Sequence, residues 1–150
     1  MLLTARDLVE QSPVATLVID TAHRVAQWNR ACARLTGVSA AAMIGTGDQW
    51  RPFYPAARPL LADLVIAGAT AAELRRWYGE GFRGSQDDGS CEAEGFFPQL
   101  PGGGRWILFR AAPLRGPDGQ SIGAIQMLQD VTDQKRAETD ILASQRQLSE

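Results

Sequence analysis

From its N-terminus the chain alternates short helical and short extended patterns before settling into a long extended stretch. Thr4, with Asp7 three residues on, predicts a helix start of the capping-box kind, with Asp in place of the usual Glu. Ser12-Pro13 ends that helix, because proline pushes the residue before it out of helical geometry. Residues 14–20 and 24–29 are rich in β-forming side chains, and the turn residues Asp20-Thr21-Ala22-His23 between them predict a hairpin. Asn29 stands where an N-cap is wanted and Gly37 where a left-handed C-cap is wanted, so a helix is expected over 30–36. Ser39 starts a second short helix that ends near Gly45.

Residues 48–59 are dense in proline and aromatic side chains and predict an ordered loop. Pro59 is expected in the first turn of the next helix, where its missing N–H costs little. Leu60, Leu61, Leu64 and Val65 form one apolar stripe on that helix, which Gly68 breaks. Thr70 and Glu73 make a second capping box ahead of Leu74, Trp77 and Tyr78. Residues 79–90, rich in glycine and serine around Asp87 and Asp88, are expected to be a mobile loop. Three extended segments follow, 91–100, 105–114 and 121–131, joined by Pro101-Gly102-Gly103-Gly104 and Gly116-Pro117-Asp118-Gly119. Beyond Thr132 the composition turns charged, and Ala137, Ile141, Ser144 and Leu148 repeat at a weak heptad spacing. The strands bury their apolar faces only if both groups share one antiparallel sheet of about five strands, with helices on one face. The fold class is therefore α+β. Residues 1–13 are expected to form an N-terminal cap, 14–132 the domain, and 133–150 the start of a linker helix.

The 150 residues suffice for one domain with a real core. A formal net charge of −2 with no basic stripe argues against a nucleic-acid partner. Two cysteines in no metal-binding or disulfide pattern fit a reducing, cytoplasmic setting. No apolar run reaches membrane-spanning length, and Arg6, Asp7 and Glu10 rule out a secretory leader at the start. Along 105–112, Ile107, Phe109 and Ala111 alternate with Trp106, Leu108 and Arg110. Burying Arg110 unpaired is costly, so the first set is expected to face the helices. On the last strand either Ile122, Ala124, Gln126 and Leu128 or Gly123, Ile125, Met127 and Gln129 face inward. Enzyme signals are poor: His23 is the only histidine, there is no P-loop, and Gly102–Gly104 tip a hairpin without opening a helix. Cys32 reads as a small core residue. Cys91, with no basic neighbour to activate it, reads as exposed. Asp87, Asp88, Glu92 and Glu94 lack a calcium-loop pattern and read as a solvated acidic cluster with no metal.

The order of elements and several short motifs resemble the PAS family. Trp28-Asn29 followed by Arg30 to Gly37 is similar to the family's WN-x-A-x-x-x-x-TG stretch, and Met43-Ile44-Gly45 to its hydrophobic-Ile-Gly element. Arg105-Trp106, Ala112-Pro113-Leu114, Asp118-Gly119, Ile122-Gly123-Ala124 and Asp130-Val131-Thr132 resemble its last hairpin and exit. Trp50-Arg51-Pro52-Phe53-Tyr54-Pro55 and Arg58-Pro59 are similar to a subgroup found beside bacterial output domains. The resemblance covers roughly residues 8 to 135; each motif is weak alone, and their joint order and spacing is specific.

The resemblance implies a sensory module of a larger protein of the histidine kinase, diguanylate cyclase or chemoreceptor type, without catalysis of its own. Its register favours Ile122, Ala124, Gln126 and Leu128 inside, with Ala93, Gly95 and Phe97 inside and Glu92 and Glu94 outside. A small ligand between sheet and helices is then expected to meet Phe97, Ile107, Phe109, Leu61, Leu64, Val65 and Leu128, with Gln126 as the polar contact; the bland alternative is a plain packed core. Asp130, Val131 and Thr132 would relay change to the exit helix. Leu3, Leu8, Val9, Trp106, Leu108 and Met127 would form a surface that a terminal helix covers or that joins two copies in a homodimer. Haem-binding members commonly use an axial His; His23 lies in the first hairpin turn, so haem is not supported. Flavin-binding members carry an NCRFLQ-type stretch with a reactive Cys, absent here, so flavin is not supported. A ligand-free dimerisation module is the rival reading. A small α+β enzyme is the remoter one, and it needs a buried Asp or Glu that the inward list lacks.

Overall fold

The computed structural model describes residues 4–149. Helix α1 (Ala5–Gln11) precedes strands β1 (Ala15–Asp20) and β2 (Val25–Trp28). Helices α2 (Arg30–Thr36), α3 (Ala40–Met43), α4 (Leu61–Ile66) and α5 (Ala71–Tyr78) follow. A 3-10 turn, Gly79–Gly81, then leads into β3 (Phe82–Ser85), β4 (Cys91–Phe97), β5 (Arg105–Arg115), β6 (Ser121–Asp130) and helix α6 (Thr132–Ser149). The strands make one antiparallel sheet in the order β2-β1-β6-β5-β4-β3. Helix α4 packs across β5 and β6, and the core runs between them through Leu17, Ile19, Leu61, Ile107, Phe109 and Ala124.

The caps form where the residue types place them. Thr4 and Asp7 cap α1 reciprocally, Thr70 and Glu73 cap α5, and Gly37 takes a left-handed φ of 75° after α2. Asn29 does more than cap. It is 1% exposed, and its Oδ1 accepts from the Cys32 and Thr16 amides, both at 2.9 Å. Its Nδ2 donates to the carbonyls of Val9 and Val14, both at 2.9 Å. One side chain thus ties α1, β1 and α2 together.

Four expectations need correction. Residues 79–90 are not a loop throughout: they contain β3, a sixth strand paired with β4. Backbone pairing at an edge needs no apolar side chains, and Gly81 lets the chain pass where a Cβ would meet the Glu94 carbonyl oxygen at 2.1 Å. Pro59 lies outside α4, because the Asp63 carboxylate accepts the Leu60 amide at 2.9 Å and makes Leu60 the N-cap. Ile122 is 52% exposed, since it sits at the far end of β6, one residue beyond the last β1 partner. Cys91 is buried, because it pairs with Ala111 on the inward face. The rest of the alternation stands: Ala93, Phe97, Ile107, Phe109, Ala111, Ala124, Gln126 and Leu128 are buried, and Arg110 is outside.

Candidate functional site

A cleft lies at one end of the sheet, where three connections meet. Leu64, Val65 and Ile66 of α4, Gly68 and Ala69 of the following turn, and Leu74 of α5 form one wall. Ser85, Gln86, Gly89 and Cys91 around the β3–β4 turn, with Pro113, Arg115 and Ser121 from the β5–β6 end, form the other. The cleft holds about 410 Å³, within the usual size range of small-molecule sites.

Of the residues expected to contact a ligand, the structure brings Leu64 and Val65 to this cleft. Leu61, Phe97, Ile107, Phe109, Gln126 and Leu128 lie in the packed core beside it and do not line it. The reason is aromatic filling from outside the sheet. Phe53 and Tyr54 meet Phe97 edge-on with centroids 5.6 and 5.5 Å away, Phe97 meets Phe109 at 5.9 Å, and Tyr78 meets Phe109 at 5.3 Å. The Gln126 amide has found its partner: Oε1 accepts the Ala62 N–H at 2.9 Å and satisfies a free donor in the first turn of α4.

Two clusters were not anticipated from the sequence. Asp63 is 6% exposed and gathers three donors: the Leu60 amide, Gln49 Nε2 at 3.2 Å, and the His23 ring, whose Nδ1 lies 2.7 Å from Oδ1. It is the buried carboxylate that the inward list lacked. It is committed to holding the start of α4 against the β1–β2 turn, where His23 takes a φ of 62°. The second cluster is Arg58, whose guanidinium lies 3.9 Å from the Tyr54 ring centroid, 4.8 Å from Trp77 and 5.3 Å from Tyr78. Burial pushes the Tyr54 and Tyr78 hydroxyls up from their ordinary value, and both stay neutral. The N3 acid after Leu60 was a readable signal for Asp63; the pairing of Asp63 with His23, forty positions away in sequence, left none.

The two cysteines are inert for one reason. Burial pushes the Cys32 thiol up strongly and the Cys91 thiol from 9.0 to about 11. A thiol reagent at pH 8 is therefore expected to leave both unlabelled in the folded protein while labelling the urea-unfolded chain at once. Because the folded Cys91 pKa is raised, its contribution to stability is intact below pH 9.0 and is lost as pH rises through about 11. Rapid labelling of Cys91 at pH 8 in the folded state would contradict this. The acidic cluster does not converge: Asp88 holds Ser90, Glu92 pairs with Arg110 at 3.1 Å, and Glu94 turns elsewhere.

At the other end of the same strands the exit helix is fastened to the sheet. The Trp106 amide donates to Thr132 Oγ1 at 2.9 Å, and its carbonyl accepts the Val131 amide at 2.8 Å. Asp130 Oδ1 accepts the Thr132 amide at 2.9 Å and the Thr132 hydroxyl. On the outer face, Glu94 pairs with Lys135 of α6 at 2.5 Å and with Arg83 of β3 at 3.2 Å. Asp130, Val131 and Thr132 thus form the joint between β6 and α6.

The other surface residues scatter. Leu8 is 60% exposed on α1, which packs on α2, while Val9 is half-buried there. Trp106 and Leu108 are half-buried on the outer sheet face, and Met127 is 45% exposed. Leu3 lies outside the described residues.

A family model described as PAS fold matches residues 9–136. No curated protein matches the chain. Among solved structures, the PAS domain of Bordetella pertussis BvgS superposes with a TM-score of 0.55 at 16% identity, covering 94% of both chains. An RNA-binding Light-Oxygen-Voltage receptor superposes with a TM-score of 0.57 at 19% identity, over 94% of this chain and 36% of that one. Vibrio cholerae VqmA, in a complex with ligand and DNA, gives a TM-score of 0.54 at 24% identity, over 88% of this chain and 53% of that one. The chain therefore spans about a third of the receptor and about half of VqmA. At these identities the likeness shows the fold.

Proposed function

We propose, from the fact that the chain belongs to the PAS family of sensory modules, that it serves a larger signalling protein by taking a small molecule into the cleft and passing the change to α6. The observation that carries this reading is that cleft and exit helix share two strands. Strand β4 starts at Cys91 in the cleft, and its Glu94 holds Lys135. Strand β5 bonds to Thr132 through Trp106, its second residue, and ends at Pro113 and Arg115 in the cleft. A ligand that prefers one width of the cleft shifts the strand ends on which α6 is seated, in proportion to its different affinity for the two states. Catalytic output, of the histidine kinase, diguanylate cyclase or chemoreceptor type, belongs to another part of that protein. A cytoplasmic place fits two buried free thiols, and among the described residues no helix is long and apolar enough to cross a membrane.

A second reading, a homodimerising module without ligand, is favoured by the outer sheet face. Phe96 and Met127 are exposed there, and a groove of about 150 Å³ runs past Val14, Leu108 and Met127. Native mass spectrometry of gently purified protein, beside its denatured mass, separates the two. The sensory reading expects a small mass bound in the native spectrum of the wild type and absent from Ala69→Trp, which fills the cleft. A bare dimer in both proteins would favour the interaction module.

A further inference from the structure

The cleft has a chemical bias that its size alone does not reveal. Leu64, Val65, Leu74 and Pro113 give it aliphatic surface. Ser85, Gln86 and Ser121 add polar groups, and among the described residues that line the cleft Arg115 carries the only formal charge. The Cys91 thiol is neutral, and no Asp or Glu side chain lines the wall. Among the described residues Arg115 makes no ion pair within 4 Å, although its charge helps, as the smallest contribution, to hold the Asp88 carboxyl below its ordinary value. Its Nη2 reaches the Asp88 backbone carbonyl at 3.5 Å, while the Asp88 carboxylate is turned onto the Ser90 amide at 2.9 Å and the Ser90 hydroxyl at 2.6 Å. Gly89 allows this closeness: a Cβ there would stand 3.1 Å from the Pro113 ring and 3.6 Å from the Arg115 guanidinium. A cation with no carboxylate partner within 4 Å, in a cleft that aliphatic side chains also line, complements a molecule with an acyl or aromatic body and one anionic end.

We propose that the cleft selects small amphipathic anions, the apolar body lying along Leu64 and Leu74 and a carboxylate meeting the Arg115 guanidinium. This rests on the reading of the cleft as a ligand site and names its ligand class. A guanidinium offers a carboxylate two parallel donors, which an amide of the same shape uses poorly.

The test compares hexanoate with hexanamide, which share a tail and differ in charge. Binding is followed by the ¹H–¹⁵N shifts of Gly68, Ala69 and Gly89 in wild type, Arg115→Gln and Ala69→Trp. Arg115 is exposed at the end of β5, so its replacement leaves the core intact. The expected result is saturable shifts at these amides, with hexanoate about tenfold tighter than hexanamide, the preference that one charge-assisted hydrogen bond supplies. Arg115→Gln should bring hexanoate down to the amide's affinity and leave the amide unchanged. Equal affinities in wild type would overturn the anion selection and leave the ligand-site reading standing. Absence of shifts with both probes, or shifts that persist in Ala69→Trp, would overturn both.

Discussion

Asn29→Ala is expected to lower the unfolding free energy by about 3 kcal/mol, combining a lost N-cap (about 1 kcal/mol) with a buried amide left unpaired (about 1–3 kcal/mol). The cap is the Cys32 amide and the stranded group is the Thr16 amide, whereas the carbonyls of Val9 and Val14 each lose one donor and keep the Ser12 amide and the Thr16 hydroxyl. At 1% exposure of Asn29, water does not replace its amide. Asn29→Asp separates the contributions. It keeps the Oδ1 acceptor for both amides but turns a carboxylate toward two carbonyls, so it too should destabilise, chiefly by loosening α1 from the domain. Urea unfolding with amide exchange at Leu8 and Cys32 reads both effects. A loss below about 1 kcal/mol for Asn29→Ala, the size of an ordinary exposed cap, would show that the hub is not cooperative.

Asp63→Ala is expected to cost about 3 kcal/mol, because a buried acceptor of charge-assisted bonds disappears and its donors keep their desolvation cost. The Leu60 amide loses its acceptor inside the protein and Gln49 Nε2 keeps only the His23 carbonyl, whereas the half-exposed His23 ring turns to water. Removal of the His23 ring should therefore cost much less than removal of Asp63. Because α4 forms a cleft wall, Asp63→Ala should also broaden the amide signals of Leu64, Val65 and Gly68 before the sheet is affected. Equal losses for His23→Ala and Asp63→Ala would mean that the surface pair, and not the buried helix start, carries the energy.

The legible part of this chain was what depends on near neighbours. Thr4, Asn29, Gly37 and Thr70 are caps because their residue types fit few other backbone positions, and they fell where the types placed them. The inward face of β5 followed from the cost of burying Arg110. Strand β3 was hidden because its sequence, Phe82 to Ser85, carries no alternation; an edge strand can be held by backbone bonds to one neighbour. Ile122 failed for the opposite reason: its period is right, and the helix layer stops short of it. The cleft was half legible. Alternation says which side chains point inward, and it is silent on whether they fill the space there. Phe97 and Phe109 are packed shut by Phe53, Tyr54 and Tyr78, and those contacts cross from a loop and a helix end whose placement no local pattern encodes. The open space moved toward the end of the sheet, to Leu64 and Val65.

Coupling between that cleft and the exit helix can be tested without knowing the ligand. The measurement is amide hydrogen exchange of Ala69→Trp, where the indole stands in for an occupant, against wild type. Coupling predicts altered exchange at Trp106, Val131 and Lys135, the amides at the joint with α6, with unchanged exchange at Leu8 and Ser12 around α1. A change confined to the walls of the cleft, with the Trp106–Thr132 joint exchanging as before, would contradict it.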